Sequence, residues 1–133
     1  MTNEIRVPIN SDVDIVTARQ QGRLFAGKLG FNGSDLTLIA TAISELSRNI
    51  IEHAKQGVIV ISAVQKDGKQ GVCIVAHDEG PGIPDVNIAM QDGYSSRKSL
   101  GLGLPGTRRI VDEFEIRSRV GHGTTVTVKK WEK

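Results

Sequence analysis

The sequence predicts an α/β fold, a two-layer sandwich in which a mixed, mostly antiparallel sheet carries helices on one face. Three observations predict it. One short alternating strand is followed by two stretches of helical apolar spacing; two β-branched runs flank a turn; and a helix start leads into a second hairpin pattern. At 133 residues the chain has the length of one domain, 1–133, which buries roughly two-thirds of the surface that its unfolded form exposes.

Ile5, Val7 and Ile9 alternate with polar residues and Pro8. They predict an edge strand, because proline cannot donate a ladder hydrogen bond. Ser11 and Asp12 offer caps to a first helix, whose Ile15, Ala18, Leu24, Phe25 and Leu29 recur at helical spacing until Gly30. A second helix follows: Ser34 supplies its cap, Leu36, Ile39, Ala40, Ile43, Leu46 and Ile50 its core face, and Gly57 lies beyond its end. Val58–Val64 and Val72–Ala76 flank Lys66-Asp67-Gly68-Lys69 and predict a hairpin. Gly80-Pro81-Gly82 breaks regular structure, Val86–Met90 suits a short helix, and the polar run Gln91–Ser99 suits a mobile loop. Pro105 fits the first turn of a helix reaching Asp112 or Glu113. Ile116–Val120 and Thr124–Trp131 surround Gly121-His122-Gly123 as a closing hairpin.

Composition excludes several classes. Hydrophobic residues at 38% and charged residues at 24% fit a globular chain and neither a disordered nor a membrane one. A formal charge of +2, with few aromatics, argues against nucleic acid. Cys73 is the single cysteine and lies in an apolar run, so it reads as a buried free thiol. Met1–Arg6 lacks an apolar signal core, and no apolar stretch approaches the length of a membrane span. A cytoplasmic location without membrane contact is expected.

Three clusters carry potential chemistry. Glu45 and Asn49 stand four residues apart, on one helix face, with His53 continuing the row. Taken alone, such a pair is what a solvated helix face displays. Asp78-Glu79-Gly80-Pro81-Gly82-Ile83 follows an apolar strand. An aspartate there can accept a hydrogen bond from an amino group, and its glycines admit a flat ligand to the backbone, although the same residues also make a plain turn. Gly101-Leu102-Gly103-Leu104-Pro105-Gly106 immediately precedes a helix. Amides at a glycine-rich helix start form an anion site, though a flexible hinge has the same composition. The chain has neither a Walker-type glycine loop ending in Lys-Ser/Thr nor a protein-kinase glycine loop followed by His-Arg-Asp.

The order of these clusters matters more than each alone. Glu45-Leu46-Ser47-Arg48-Asn49-Ile50-Ile51-Glu52-His53-Ala54 resembles the N box of the GHKL, or Bergerat-type, ATPase/kinase superfamily. Asp78–Gly82 resembles its first glycine box and Gly101–Leu104 its second. Small size, together with Leu104-Pro105-Gly106, Asp112-Glu113-Phe114 and Lys130-Trp131, resembles the RsbT-type switch kinases of the stressosome, relatives of the anti-sigma-factor kinases.

The resemblance implies ATP and Mg²⁺ as ligands and assigns roles to residues. Asn49 would ligate Mg²⁺, and Asp78 would accept the adenine amino hydrogen. Gly82, with Thr124, would line the base pocket, and Gly80 of the same box would be among the nucleotide-binding residues. Gly101, Gly103 and the neighbouring amides of Leu102 and Leu104 would hold phosphates. The loop with Ser95, Ser96, Arg97 and Lys98 would be the lid. Arg97 and Lys98 would neutralise phosphate charge, if they are more than a solvated basic pair. Glu45, one helical turn from the metal ligand, would take the proton of a serine or threonine hydroxyl. A neutral imidazole needs no such base, so transfer to His53, His77 or His122 is not expected. The resemblance further implies STAS-domain proteins as substrates and a phosphatase as second partner, activated when the kinase is released. An anti-sigma factor that sequesters a sigma factor is the alternative, and plain ATP hydrolysis a third.

Overall fold

A computed structural model describes residues 4–82 and 103–132. The elements are β1 (Glu4–Ile9), α1 (Asp12–Lys28), α2 (Gly33–Ala54), β2 (Gly57–Lys66), β3 (Lys69–Asp78), α3 (Gly103–Ile110), β4 (Glu113–Arg119) and β5 (Gly123–Trp131). The strands form one sheet in the order β1-β2-β3-β5-β4. Every ladder among the described residues is antiparallel, the purer end of the mostly antiparallel sheet that the sequence predicts.

Alternation along the strands decides where the core lies. Val7, Ile9, Ile59, Ile61, Ile74, Ala76, Val126 and Val128 are buried and share a core with Ala18 and Ala26 of α1, Ile39, Ile43, Leu46 and Ile50 of α2, and Leu104 of α3. The intervening Val58, Val60, Val75, Thr125 and Thr127 are only half-buried. The helices therefore cover one face of the sheet.

Local chemistry sets the element ends, and several differ from expectation. Ser11 holds extended backbone before α1. The Asp14 carboxylate reaches back to accept the N–H groups of Asn10 (2.8 Å) and Ser11 (3.1 Å). Asn32, not Ser34, precedes α2, and its carbonyl accepts the Asp35 and Leu36 amides at 3.0 and 3.4 Å. The hairpin ladder extends to Lys66↔Lys69. Asp67 and Gly68, at φ 53° and 79°, form a tight two-residue turn whose twist matches the strands, so both run further than β-branched composition suggests.

Helix α3 stops at Ile110 instead of reaching Asp112 or Glu113. The Asp112 N–H already bonds the Lys129 carbonyl at 2.9 Å, so the sheet captures the chain there. β4 accordingly begins at Glu113 and ends at Arg119, ahead of the expected Ile116–Val120. The expected short helix Val86–Met90 and loop Gln91–Ser99 lie outside the described residues. Cys73 is buried and free. Burial pushes its thiol pKa up, against an opposing pull from the Lys129 charge. Among the described residues, no helix is long and apolar enough to cross a membrane.

Candidate functional site

The α2 helix links the clusters that the sequence singles out. Its apolar stripe packs on the sheet, leaving Glu45 and Asn49 half-buried one turn apart. The side chain of Glu45 is only 10% exposed. Its Oε1 accepts the backbone N–H of Gly103, at the start of α3, at 3.1 Å. Its Oε2 pairs with the Arg48 guanidinium, three residues along the same helix. Leu104 anchors α3 in the core at 3% exposure, and Thr107 Oγ1 donates to the Gly103 carbonyl at 2.9 Å.

At the other end of α2, Ala54 meets the first glycine cluster. A Cβ placed on Gly80 would lie 2.5 Å from Ala54 Cβ, which shows how closely the loop abuts the helix. Asp78 ends β3 at 4% exposure, in register with Gly57 on one side and Thr124 on the other. Its Oδ1 accepts the Gly80 N–H at 2.9 Å, folding the loop back on itself. The loop is also strapped to the β4–β5 turn, because the Gly121 N–H donates to the Pro81 carbonyl at 2.8 Å. Thr124 is buried, and its hydroxyl shares a hydrogen bond of 2.8 Å with Ser118 Oγ.

Along α2, contact with the second glycine cluster at Glu45 and with the first at Ala54 brackets Asn49. A concavity of about 470 Å³, lined by Asn10, Ala54, Gln56, Gly57, Val58, His77, Asp78 and Glu79, reaches Asp78 but not Glu45 or Asn49. The contacts at Ala54 and Gly103, rather than that cavity, join the site. Arg97, Lys98, Gly101 and Leu102, with Ser95 and Ser96, lie outside the described residues.

Two side chains escaped the sequence reading. Arg48 holds Glu45, and its only signal was the i,i+3 spacing of opposite charges. Ser118 holds Thr124 across the closing hairpin, a contact without local signature. Gly103 also takes on a second aspect, since its single N–H is engaged by Glu45. Any phosphate contact at that amide requires it to be shared or released.

Residues 34–133 match the profile of the family described as Histidine kinase-, DNA gyrase B-, and HSP90-like ATPase. The chain is 48% identical to the serine/threonine-protein kinase RsbT of Bacillus subtilis over 131 residues, 98% of each chain. It is 34% identical to the anti-sigma F factor of Geobacillus stearothermophilus over 120 residues, covering 85% of this chain and 81% of that one. Among solved structures it is similar to the RsbU and RsbW domains of a Mycobacterium tuberculosis protein, with a TM-score of 0.61 and 25% identity over 97% of this chain. The chain spans 32% of that longer structure. An open antiparallel sheet with helices on one face, the bracketed Asn49, and these similarities agree: the chain belongs to the histidine kinase-, DNA gyrase B- and HSP90-like ATPases, the GHKL superfamily.

Proposed function

We propose that this chain is a cytoplasmic serine/threonine protein kinase that transfers the γ-phosphoryl group of ATP to a STAS-domain protein, and that it activates a phosphatase once released. One observation carries the choice of nucleophile: a carboxylate, Glu45, one turn before Asn49 and tied to Gly103 at 3.1 Å. Similarity to a serine/threonine kinase along nearly the whole chain supports the same reading.

The residues divide the work. Asp78, held in place by the Gly80 N–H at 2.9 Å, keeps its remaining lone pairs for the adenine amino group. Gly82 and Thr124 border the base. Asn49 offers a hard amide oxygen, and Mg²⁺ commonly binds through one or two protein ligands plus substrate phosphates, so this donor fits it. Held there, Mg²⁺ would supply Lewis-acid neutralisation of the phosphate charge. Glu45 accepts the proton of the substrate hydroxyl as its oxygen bonds to the γ-phosphorus. The bond from that phosphorus to the bridging oxygen breaks, and its electron pair leaves with ADP.

The test is incubation with Mg·ATP and candidate STAS-domain proteins, followed by mapping of phosphate by mass spectrometry. Phosphoserine or phosphothreonine on the partner is expected. No transfer to any cognate partner, with ATP binding verified, overturns the kinase reading. A second reading, an anti-sigma factor with kinase activity that sequesters a sigma factor, draws on the 34% identity to the anti-sigma F factor. The higher identity to the RsbT kinase favours the first. Co-purification with a sigma factor, in place of STAS and phosphatase partners, reverses that order.

A further inference from the structure

We propose that Arg48 is a positioning residue for Glu45, holding one oxygen of the base while the Gly103 amide holds the other. The inference rests on the kinase reading above and names a residue that reading does not use. A mid-helix glutamate has three rotatable side-chain bonds, and the helical backbone alone does not direct its carboxylate. Here each oxygen has its own donor: Oε2 pairs with the Arg48 guanidinium and Oε1 accepts the Gly103 N–H at 3.1 Å.

The environment separates this pair from an ordinary surface ion pair. Exposed pairs lose most of their strength to solvent. The Glu45 side chain is 10% exposed and that of Arg48 34%, so one partner is largely withdrawn from water. Charge-assisted bonds in such surroundings are short and directional. By contrast, the Arg6–Glu4 pair spans 3.6 Å with side chains 64% and 39% exposed, and the Arg117–Glu115 pair lies on the outer strand at 79% and 60%.

The hold is compatible with a base. A carboxylate oxygen carries two lone pairs, so the bond from Arg48 does not by itself use up Oε2 as an acceptor. Arg48 thus fixes the carboxylate without consuming it, while its own contact with substrate is not required. Because Gly103 starts α3, the same two-point hold ties the orientation of the base to that helix. Lysine at this position preserves charge but not the planar fork of donors.

The experiment compares R48M, R48K, E45Q and the double variant E45Q/R48M in phosphoryl transfer to the cognate substrate, with Mg·ATP affinity by calorimetry. R48M should lower kcat by about 10- to 100-fold, the scale of a misplaced catalytic group, with Kd for Mg·ATP moving less than about threefold. R48K should recover part of the loss. In the E45Q background R48M should cost nothing more, because the group it positions no longer serves as a base. Equal kcat losses from R48M in both backgrounds overturn the proposal, as does a rise in Kd matching the fall in kcat, or wild-type kcat in R48M. If R48M does not fold, R48K carries the same cycle with the same criteria. Unchanged transfer in E45Q overturns the base assignment itself, and the proposal with it. A drop in E45Q with no effect of R48M removes Arg48 alone.

Discussion

The Asp78 carbonyl packs against Gly123 with no space for a side chain between them. A Cβ on Gly123 would lie 2.9 Å from the Asp78 carbonyl carbon and 2.7 Å from Glu79 Cα. Gly123 also holds φ at 92°, where L side chains are strained. This contact lets the first glycine loop turn off β3 directly over the start of β5. Gly123→Ala should destabilise the fold by about 2–4 kcal/mol, through strain and overpacking together. Gly121→Ala, with φ 82° but no atom of the described residues within 4 Å of a new Cβ, should cost only about 1 kcal/mol. Urea unfolding of both variants checks the difference; equal losses would mean that the close approach is not what constrains Gly123.

Glu45 and Asn49 share a helix face, yet their proposed roles predict different defects. Asn49→Ala removes an oxygen ligand and should weaken Mg·ATP binding at least tenfold, or about 1.4 kcal/mol. Glu45→Gln keeps the side-chain shape and one carbonyl-type acceptor, so binding should change little, while transfer falls by about 10²- to 10⁴-fold. Calorimetry with Mg·ATP and single-turnover transfer separate the two. Parallel losses of affinity in both variants contradict the division.

Much of the fold is legible because apolar periodicity is a local signal. The 3.6-residue repeat of Ile39, Ile43, Leu46 and Ile50 marks α2, and the β-branched runs around Asp67-Gly68 mark the hairpin. Boundaries are less legible because they depend on partners elsewhere. β4 starts early since Lys129 captures the Asp112 amide, and Asn32 displaces Ser34 at the head of α2 through its carbonyl contacts. The site follows the same rule. Its motifs stand in the sequence, whereas the Glu45–Gly103 bond joins residues 58 positions apart and the Thr124–Ser118 pair depends on hairpin register.

Lys130 illustrates a buried charge whose partners belong to two helices. Its side chain is 7% exposed; Nζ donates to the Ile110 carbonyl at the end of α3 at 3.3 Å and lies 3.9 Å from Asp35 in the first turn of α2. A cation at a helix C-terminus meets the negative end of the dipole, and the carbonyl there lacks an intrahelical donor. Lys130→Ala leaves that carbonyl unsatisfied and opens a cavity, and should cost about 2–4 kcal/mol. Lys130→Met refills the space and should recover about half of it. Urea midpoints for the two variants decide, and identical midpoints would assign the whole effect to lost polar contacts.

Cys73 supplies a pH dependence whose sign follows from burial. Its thiol pKa is raised from the ordinary 9.0, chiefly because burial disfavours the thiolate, with Lys129 opposing. Below the ordinary thiol range both folded and unfolded chains keep the proton, so the residue contributes no slope. As pH rises past that range the unfolded chain loses its proton first. The folded state then binds more protons than the unfolded one, and stability falls with increasing pH. Other groups titrate in the same interval, but they cancel between the parent chain and Cys73→Ala. The stability of the parent relative to Cys73→Ala should therefore decline from about pH 8 to about pH 10. Alkylation should obey the same logic: iodoacetamide should modify Cys73 slowly in the native chain and rapidly in urea. Fast native alkylation, or a stability difference flat with pH, would show that the thiol is open to solvent.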